Sequence, residues 1–477
     1  MSLRWWGWWL PLIVTFDVSA QWTFQGRYTV EPGYQTDVEA RTLQHALGLD
    51  VISPEGWLTA GMVAEQFDPG KPQSLVNEGE DLYQRYLKLQ RWGWTVHAGS
   101  LYTSLGRGLT LKSYTYAPIA LDRQLDGLML GFDNEKISVT VFSGKMVGLN
   151  REDELDVDAA ELAWSPWEYL RLGLTGVKAS FLFQGDREWQ SAFLESNTPW
   201  FSLYGEWAWE DSDSPWLDPK ALYGGLNLFL GSATLLAEWK DYQDFNYVEG
   251  QVYFNDPPTL VQEHPFALWN RHQYALNAAN EEGYLLRLQA PMFSDQLVLT
   301  LQEDHTTYQN GIDVFTESFV QTEWWFGQDQ ELHVIAGRQK DFGHRFRNLG
   351  VKWHGRLLGQ QMEVTAEWQK RDNLFFEQKD QSQAWVVEWT PVSMFSLAMI
   401  GEHTDDAQSD KTLWSGLKTS WNLNHQMDFS LFFGSRRQGK LCAGGICVYT
   451  PEFEGVEATF NLRLSRGFGG KGSQPKP

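Results

Sequence analysis

The residues best suited to do chemistry sit in one run, "GSLYTSLGRGLTLKSYTYAPIALDRQLDG", residues 99–127. Gly106 and Gly108 flank Arg107, and Lys112, Asp122, Arg123 and Asp126 follow. Glycines beside a cation let the backbone take positive φ or approach another segment closely. Cations interleaved with carboxylates can pin a segment by ion pairs within a polar enclosure. They can also set fixed charges at a narrowing where polar solutes are selected. Both readings require the run to lie inside something.

Motifs that carry catalysis are missing. Ten histidines are present, none in an H-x-x-x-H or H-E-x-x-H pattern, and there is no G-x-S-x-G elbow. His305 and His403 fall near strand ends and His425 in a turn. A membrane-embedded lipid-modifying enzyme would need one histidine brought to a serine or carboxylate by folding, which spacing does not reveal. The expectation is a protein that is not an enzyme, with no catalytic residue, no metal ligand and no cofactor. Cys442 and Cys447, in "LCAGGICV", are separated by a glycine-bearing turn that suits a disulfide in an oxidising compartment. No second cysteine pair exists to complete a zinc site. Trp269, in the Asn-, Pro- and His-rich link 244–280, is either a glycan contact through ring stacking or one member of an interfacial girdle.

The chain that must position these groups opens "MSLRWWGWWLPLIVTFDVSAQ". A cation, an apolar stretch and Val18-Ser19-Ala20 read as a cleaved N-terminal signal peptide over residues 1–20, giving export. The remaining layout is an outer-membrane β-barrel over 21–466 and a flexible glycine-rich tail over 467–477. No later stretch has the roughly 18 consecutive apolar residues that a spanning helix needs. Aromatic residues make up 15% of the chain and mean hydropathy is −0.40. That combination suits strands of which only alternate residues meet lipid, with Trp and Tyr at both interfaces. A Trp-rich soluble propeller or carbohydrate-binding protein is the competing reading. The net charge of −23 speaks against nucleic acid as a partner. It is compatible with acidic outer loops among lipopolysaccharide phosphates bridged by divalent cations.

Period-two alternation supplies the elements. In "VEATFNLRLS", Val456, Ala458, Phe460, Leu462 and Leu464 oppose Glu457, Thr459, Asn461, Arg463 and Ser465. In "QMEVTAEW", Met362, Val364, Ala366 and Trp368 oppose Gln361, Glu363, Thr365 and Glu367. Leu235-Ala237-Trp239 and Trp385-Val387-Trp389 repeat the pattern. Runs near ten residues match the length a tilted strand needs to cross hydrocarbon. From residue 281 onward, short links ("MFSD", "GQDQ", "LLGQ", "PVSM", "LNHQ") alternate with longer polar ones near 305–313, 340–346, 372–382, 404–411 and 436–452. Short periplasmic turns alternating with longer outer loops mark a barrel.

Carried backward, the phase makes "REWQSAFLE" (187–195) a strand and places the 244–280 link on the outer side. It also makes "DNEK" (133–136) a periplasmic turn. Residues 100–124 then form one outer connection that folds inward; two further strands with a glycine bulge are the alternative. The expected fold is a large all-β transmembrane antiparallel barrel of about 24 strands, range 20–26. The inward segment is expected to hold to wall carboxylates such as Glu363, Glu367, Glu388 and Glu457.

The run from Gly99, with Tyr102, Gly106, Gly108, Leu109, Asp122 and Leu125-Asp126-Gly127, resembles an uncharacterised bacterial family of secreted β-barrels, the domain of unknown function 6029. "LYQRYLKLQ" before it and "VFSGK" after it share the likeness, which is clearest over the first third of the chain. The resemblance implies a barrel and an exported location and no activity. The functional expectation is a passive porin-like channel or plugged structural barrel for small polar solutes. A glycan- or surface-binding outer-membrane protein is the alternative. Expected partners are outer-membrane lipid and lipopolysaccharide and the barrel-insertion machinery.

Overall fold

The structure, a computed structural model, describes residues 22–36, 40–68, 79–116, 121–148, 154–181, 185–211, 219–245, 248–249, 252–261, 264–271, 280–293, 296–327, 329–341, 343–443, 446–450 and 452–468. The signal peptide expected over 1–20 lies outside the described residues, as does the tail after Phe468.

Twenty-four strands form one sheet. The first five are β1 (Trp22–Gln35), β2 (Ala40–Ile52), β3 (Leu58–Asp68), β4 (Gly79–Arg91) and β5 (Trp94–Leu101). After a long connection come β6 (Leu125–Asp133), β7 (Ile137–Val147), β8 (Glu154–Trp167) and β9 (Leu170–Phe181). Next are β10 (Gly185–Asn197), β11 (Phe201–Asp211), β12 (Lys220–Leu230) and β13 (Ala233–Gln243). A second long connection leads to β14 (Glu281–Met292), β15 (Leu297–Tyr308), β16 (Asp313–Phe326), β17 (Gln330–Asp341) and β18 (His344–Leu357). The rest are β19 (Gln360–Asn373), β20 (Lys379–Val392), β21 (Phe395–Thr404), β22 (Leu413–Asn424), β23 (Met427–Arg436) and β24 (Phe453–Phe468).

Each strand pairs antiparallel with the next, and β24 returns to β1 in register from Trp22↔Phe468 to Gln35↔Gly455. Closure leaves no open edge, the condition a sheet must meet in hydrocarbon, where unpaired amides and carbonyls have no water. The barrel reaches Phe468, two residues beyond the boundary read from the sequence.

Alternation becomes two faces. Leu47, Leu49, Leu130, Leu174, Leu349 and Leu464 point outward and stay exposed. Such a wide exposed apolar belt is what a lipid-facing surface requires and an aqueous one avoids. Around the short-turn end, Trp57, Trp92, Trp94, Trp167, Trp200 and Trp325 are exposed in a ring. Their amphipathic rings belong at a headgroup boundary. Both described chain ends lie at this mouth.

The connection pattern follows the phase, with "REWQSAFLE" inside β10 and "DNEK" at a turn. Three outer links are shorter than read: strand pairing continues to leave only 309–312, 342–343 and 374–378 between strands. There the outward positions are polar, as at Arg345 and Arg347, and so resemble loop in the sequence. Their inward neighbours His344 and Phe346 are buried, and this packing carries the ladder past the belt.

Candidate functional site

The 102–124 connection leaves β5 and turns into the lumen. Leu105, Leu109 and Leu111 are buried in one cluster with inward side chains of the wall: Phe142 of β7, Leu155 and Val157 of β8, and Trp189 of β10. Among its described residues, its own pairing is limited to two-residue bridges, Ser104–Leu105 with Leu111–Lys112 and Thr115–Tyr116 with Leu121–Asp122. It therefore adds no barrel strand.

Gly106 and Gly108 have φ of +53° and +90°. At Gly106 a Cβ would collide with the Glu206 carboxylate, so glycine meets both the conformation and the close approach. The approach serves two bonds: Gly106 N donates to Glu161 at 2.9 Å and Arg107 N to Glu206 at 2.8 Å. Glu206 is buried and also accepts from Tyr204 Oη at 2.6 Å and Ser191 Oγ at 2.8 Å. A buried carboxylate with three donors has part of its desolvation offset by hydrogen bonds. The Arg107 guanidinium lies over the Tyr204 ring, 4.7 Å from its centroid.

A second insert comes from the β13–β14 connection. Asp256 accepts from Lys112 Nζ at 2.7 Å and lies 3.7 Å from Arg123 Nη1. Arg123 also donates to the Asn255 carbonyl at 3.3 Å, and both cations pack on the Tyr114 ring. Asn255 Nδ2 donates to the Leu109 carbonyl at 2.9 Å, and Asp256 N to the Gly108 carbonyl at 3.2 Å. The two inserts are thus tied through both backbone and charge.

Beyond this knot the second insert reaches the far wall. Glu317 of β16 accepts from Trp269 Nε1 at 2.6 Å and Gln339 Nε2 at 2.7 Å, and His264 Nε2 lies 3.0 Å away. Glu367 of β19 accepts the backbone amides of Ala267 at 3.0 Å and Leu268 at 2.7 Å. Gln369 Nε2 donates to the Leu268 carbonyl at 2.6 Å, and Arg271 forms a fork with Glu402 of β21.

These contacts correct several expectations. The cations of the first insert do not pair with Glu363, Glu367, Glu388 or Glu457. Glu363 holds Lys352, Glu457 holds Arg436, and Glu367 holds the second insert. The first insert lies against β7–β13, and the other insert stands between it and β19. Asp122 accepts the Tyr102 hydroxyl at 3.0 Å within the first insert. Asp126, expected in the lumen, belongs to β6 and shares the face of exposed Leu128 and Leu130, opposite Lys145. It is an outward residue, because the strand begins one position earlier and its parity sets the direction.

Trp269 is 2% exposed, with His264 and Phe319 packed against it and its indole N–H committed to Glu317. No ring face is left for a sugar, and the residue belongs to the insert's anchor. Cys442 and Cys447 stand directly opposite in the Gly439–Ala443 and Ile446–Thr450 hairpin. Their side chains lie outside those described. Sequence reasoning missed Glu206, Glu317, Asn255 and Asp256. An inward acid on a strand looks like any lumen residue, whereas a link as long as 244–280 was itself a signal of an ordered insert.

Among the described residues no group of three or more His, Cys, Asp or Glu side chains could hold a metal ion. What the site can do is narrow and polarise the lumen.

Comparison with known proteins agrees with this architecture. The model of a family described as a family of unknown function (DUF6029) matches residues 354–464. It is the family that residues 99–127 resemble, and the match falls on β18–β24 rather than on the first third. No curated protein matches. The Escherichia coli P pilus tip assembly intermediate PapC-PapD-PapK-PapG superposes at a TM-score of 0.55 and 12% identity, covering 95% of this chain and 62% of that chain. The P pilus usher PapC translocation pore gives 0.49 at 12% identity, covering 94% and 99%. Pseudomonas aeruginosa OpdO gives 0.40 at 11%, covering 94% and 97%. At 12% identity, the likeness to the P pilus assembly intermediate, with its TM-score of 0.55, is one of fold alone.

Proposed function

We propose that the protein is an outer-membrane channel that passes small polar solutes passively beside two fixed inserts. The observation that carries this reading is where burial stops. Among the described residues, the polar and charged side chains buried on strands lie on β5 and on β9–β21, as at Thr175, Glu206, Lys240, Glu317, Glu367 and Glu402. On β22–β24 and β1–β4 the inward polar groups, including Thr29, Glu31, Gln44, Glu65 and Asn461, keep solvent access. The inserts cover one arc of the wall and leave the other wet. Barrels of this strand number have lumens wide enough to need filling or to conduct. The aromatic ring and apolar belt support a membrane address, and the short-turn mouth takes the periplasmic side under this reading.

Planar-bilayer recordings on refolded protein test the proposal. Steady ohmic steps are expected, with larger steps after residues 103–123 are replaced by a short glycine–serine link. Heat-modifiable migration on gels would confirm that both proteins are folded. Silence from both folded proteins would overturn conduction.

A further inference from the structure

A cavity of about 570 Å³ lies in the inner wall of β4–β7, at the border of the uncovered arc. It runs from beneath the first insert, at Leu101 and Tyr102, to the short-turn rim at Gly93 and Asp133. Sheet register arranges its lining in rungs: Lys88 stands opposite His97, which stands opposite Met129, and Gln90 stands opposite Thr95. Several side chains in it have assigned bonds, Gln90 Nε2 donating to Thr95 Oγ1 at 3.4 Å among them. Tyr86 donates to Asp50 at 2.7 Å, Gln84 donates to Tyr102 Oη at 2.6 Å, and His97 Nε2 meets the Ser100 carbonyl at 3.1 Å. Because a carbonyl only accepts, that nitrogen carries the hydrogen and His97 Nδ1 is left as an acceptor.

Lys88 differs: among the described residues no carboxylate pairs with its ammonium, although it lines the cavity wall. In a chain of net charge −23, Lys88 is a cavity-lining cation with no ion pair among the described residues, and the one carboxylate in the lining, Asp133, lies at the short-turn rim. The rest of the wall supplies amide and hydroxyl groups (Gln90, Thr95, Thr140) and an apolar face at Met129. The volume lies within the range of small-molecule sites.

We propose that this alcove binds a small hydroxylated monocarboxylate of sugar-acid size. Its carboxylate sits on Lys88, and its hydroxyls bond to Gln90, Thr95 and His97 Nδ1. The proposal deepens the channel reading by giving the passage a solute-selective station on its inner wall.

The test is isothermal titration of the refolded barrel in detergent with gluconate and, separately, with glucose. Gluconate is expected to bind, and glucose, equal in hydroxyl character but uncharged, to bind far more weakly. Lys88→Gln should weaken gluconate about tenfold, the scale of one charge-assisted bond, while Lys88→Arg retains most of the affinity. Heat-modifiable migration of each variant shows that it is folded. Equal binding of gluconate and glucose, no binding of gluconate to wild type, or unchanged affinity in folded Lys88→Gln would each overturn the assignment. Conductance separates this from the channel reading: a conducting protein that ignores gluconate defeats only the site, and a silent one that binds gluconate defeats only the channel.

Discussion

Glu367 lies at the point where a loop inside a barrel is held by a strand. Its carboxylate accepts two backbone amides, Ala267 at 3.0 Å and Leu268 at 2.7 Å. Each is a hydrogen bond to a charged group, worth roughly 1.5 kcal/mol at the low end of the usual range. Glu367→Ala removes both acceptors, a loss of about 3 kcal/mol, or on the order of 100-fold in a local opening equilibrium. Glu367→Gln keeps one acceptor oxygen and turns an NH₂ toward the second amide, so about half of that loss is expected. Hydrogen exchange followed by mass spectrometry on the refolded protein reads this directly. Peptides covering 264–271 should exchange on the order of 100-fold faster in Glu367→Ala and about tenfold faster in Glu367→Gln. Peptides from the centre of β24 should not change, showing that the barrel is intact. If 264–271 exchanges at the wild-type rate in Glu367→Ala, the second insert is held by something other than this carboxylate and the anchoring argument fails.

Lys240 and Glu281 form a 2.6 Å ion pair with both side chains fully buried where β13 and β14 meet. Lys240→Met should destabilise the barrel in urea by about 3–5 kcal/mol, because it removes the cation from a buried carboxylate, and Lys240→Met with Glu281→Leu should regain much of that. Leu349 faces outward in the apolar belt, so Leu349→Arg should cost roughly 2–4 kcal/mol in lipid vesicles if it lies near the midplane, measured by denaturant unfolding. Asp406, in the 405–412 loop, is partly desolvated, which acts to raise its pKa. The Gln408 amide and the cations Arg371 and Arg437 outweigh that and hold the carboxyl below the ordinary aspartate range. A depressed carboxylate contributes stability above the unfolded value near 3.8 and loses it as pH falls through the lower folded value. Exchange at the Gln408 amide should therefore be flat between about pH 5 and 8 and accelerate only under more acid conditions, after correction for intrinsic rates.

Strand number, direction and facing were legible in the order of residues because each follows from a local rule. Alternation assigns Val456, Phe460 and Leu464 to lipid and Glu457, Asn461 and Arg463 to the lumen without knowledge of any neighbour. The alternation of short and long links then sets the phase of the whole barrel, and it placed the connection read as 100–124 on the side from which it enters. The lumen obeyed no such rule. Which carboxylate meets which loop depends on strands far apart in the chain: Glu206 holds Arg107 from 99 residues away and Glu367 holds Leu268 from 99 residues away. An inward glutamate reads the same whether it faces water, as at Glu31, or carries a buried anchor, as at Glu317. Only closure of the cylinder decides between them, because it determines which arc the inserts press against and which is left open to solvent. Lys88 shows the same division. Its inward direction is set by its position in β4, but that it has no acid partner among the described residues is a property of the assembled lumen.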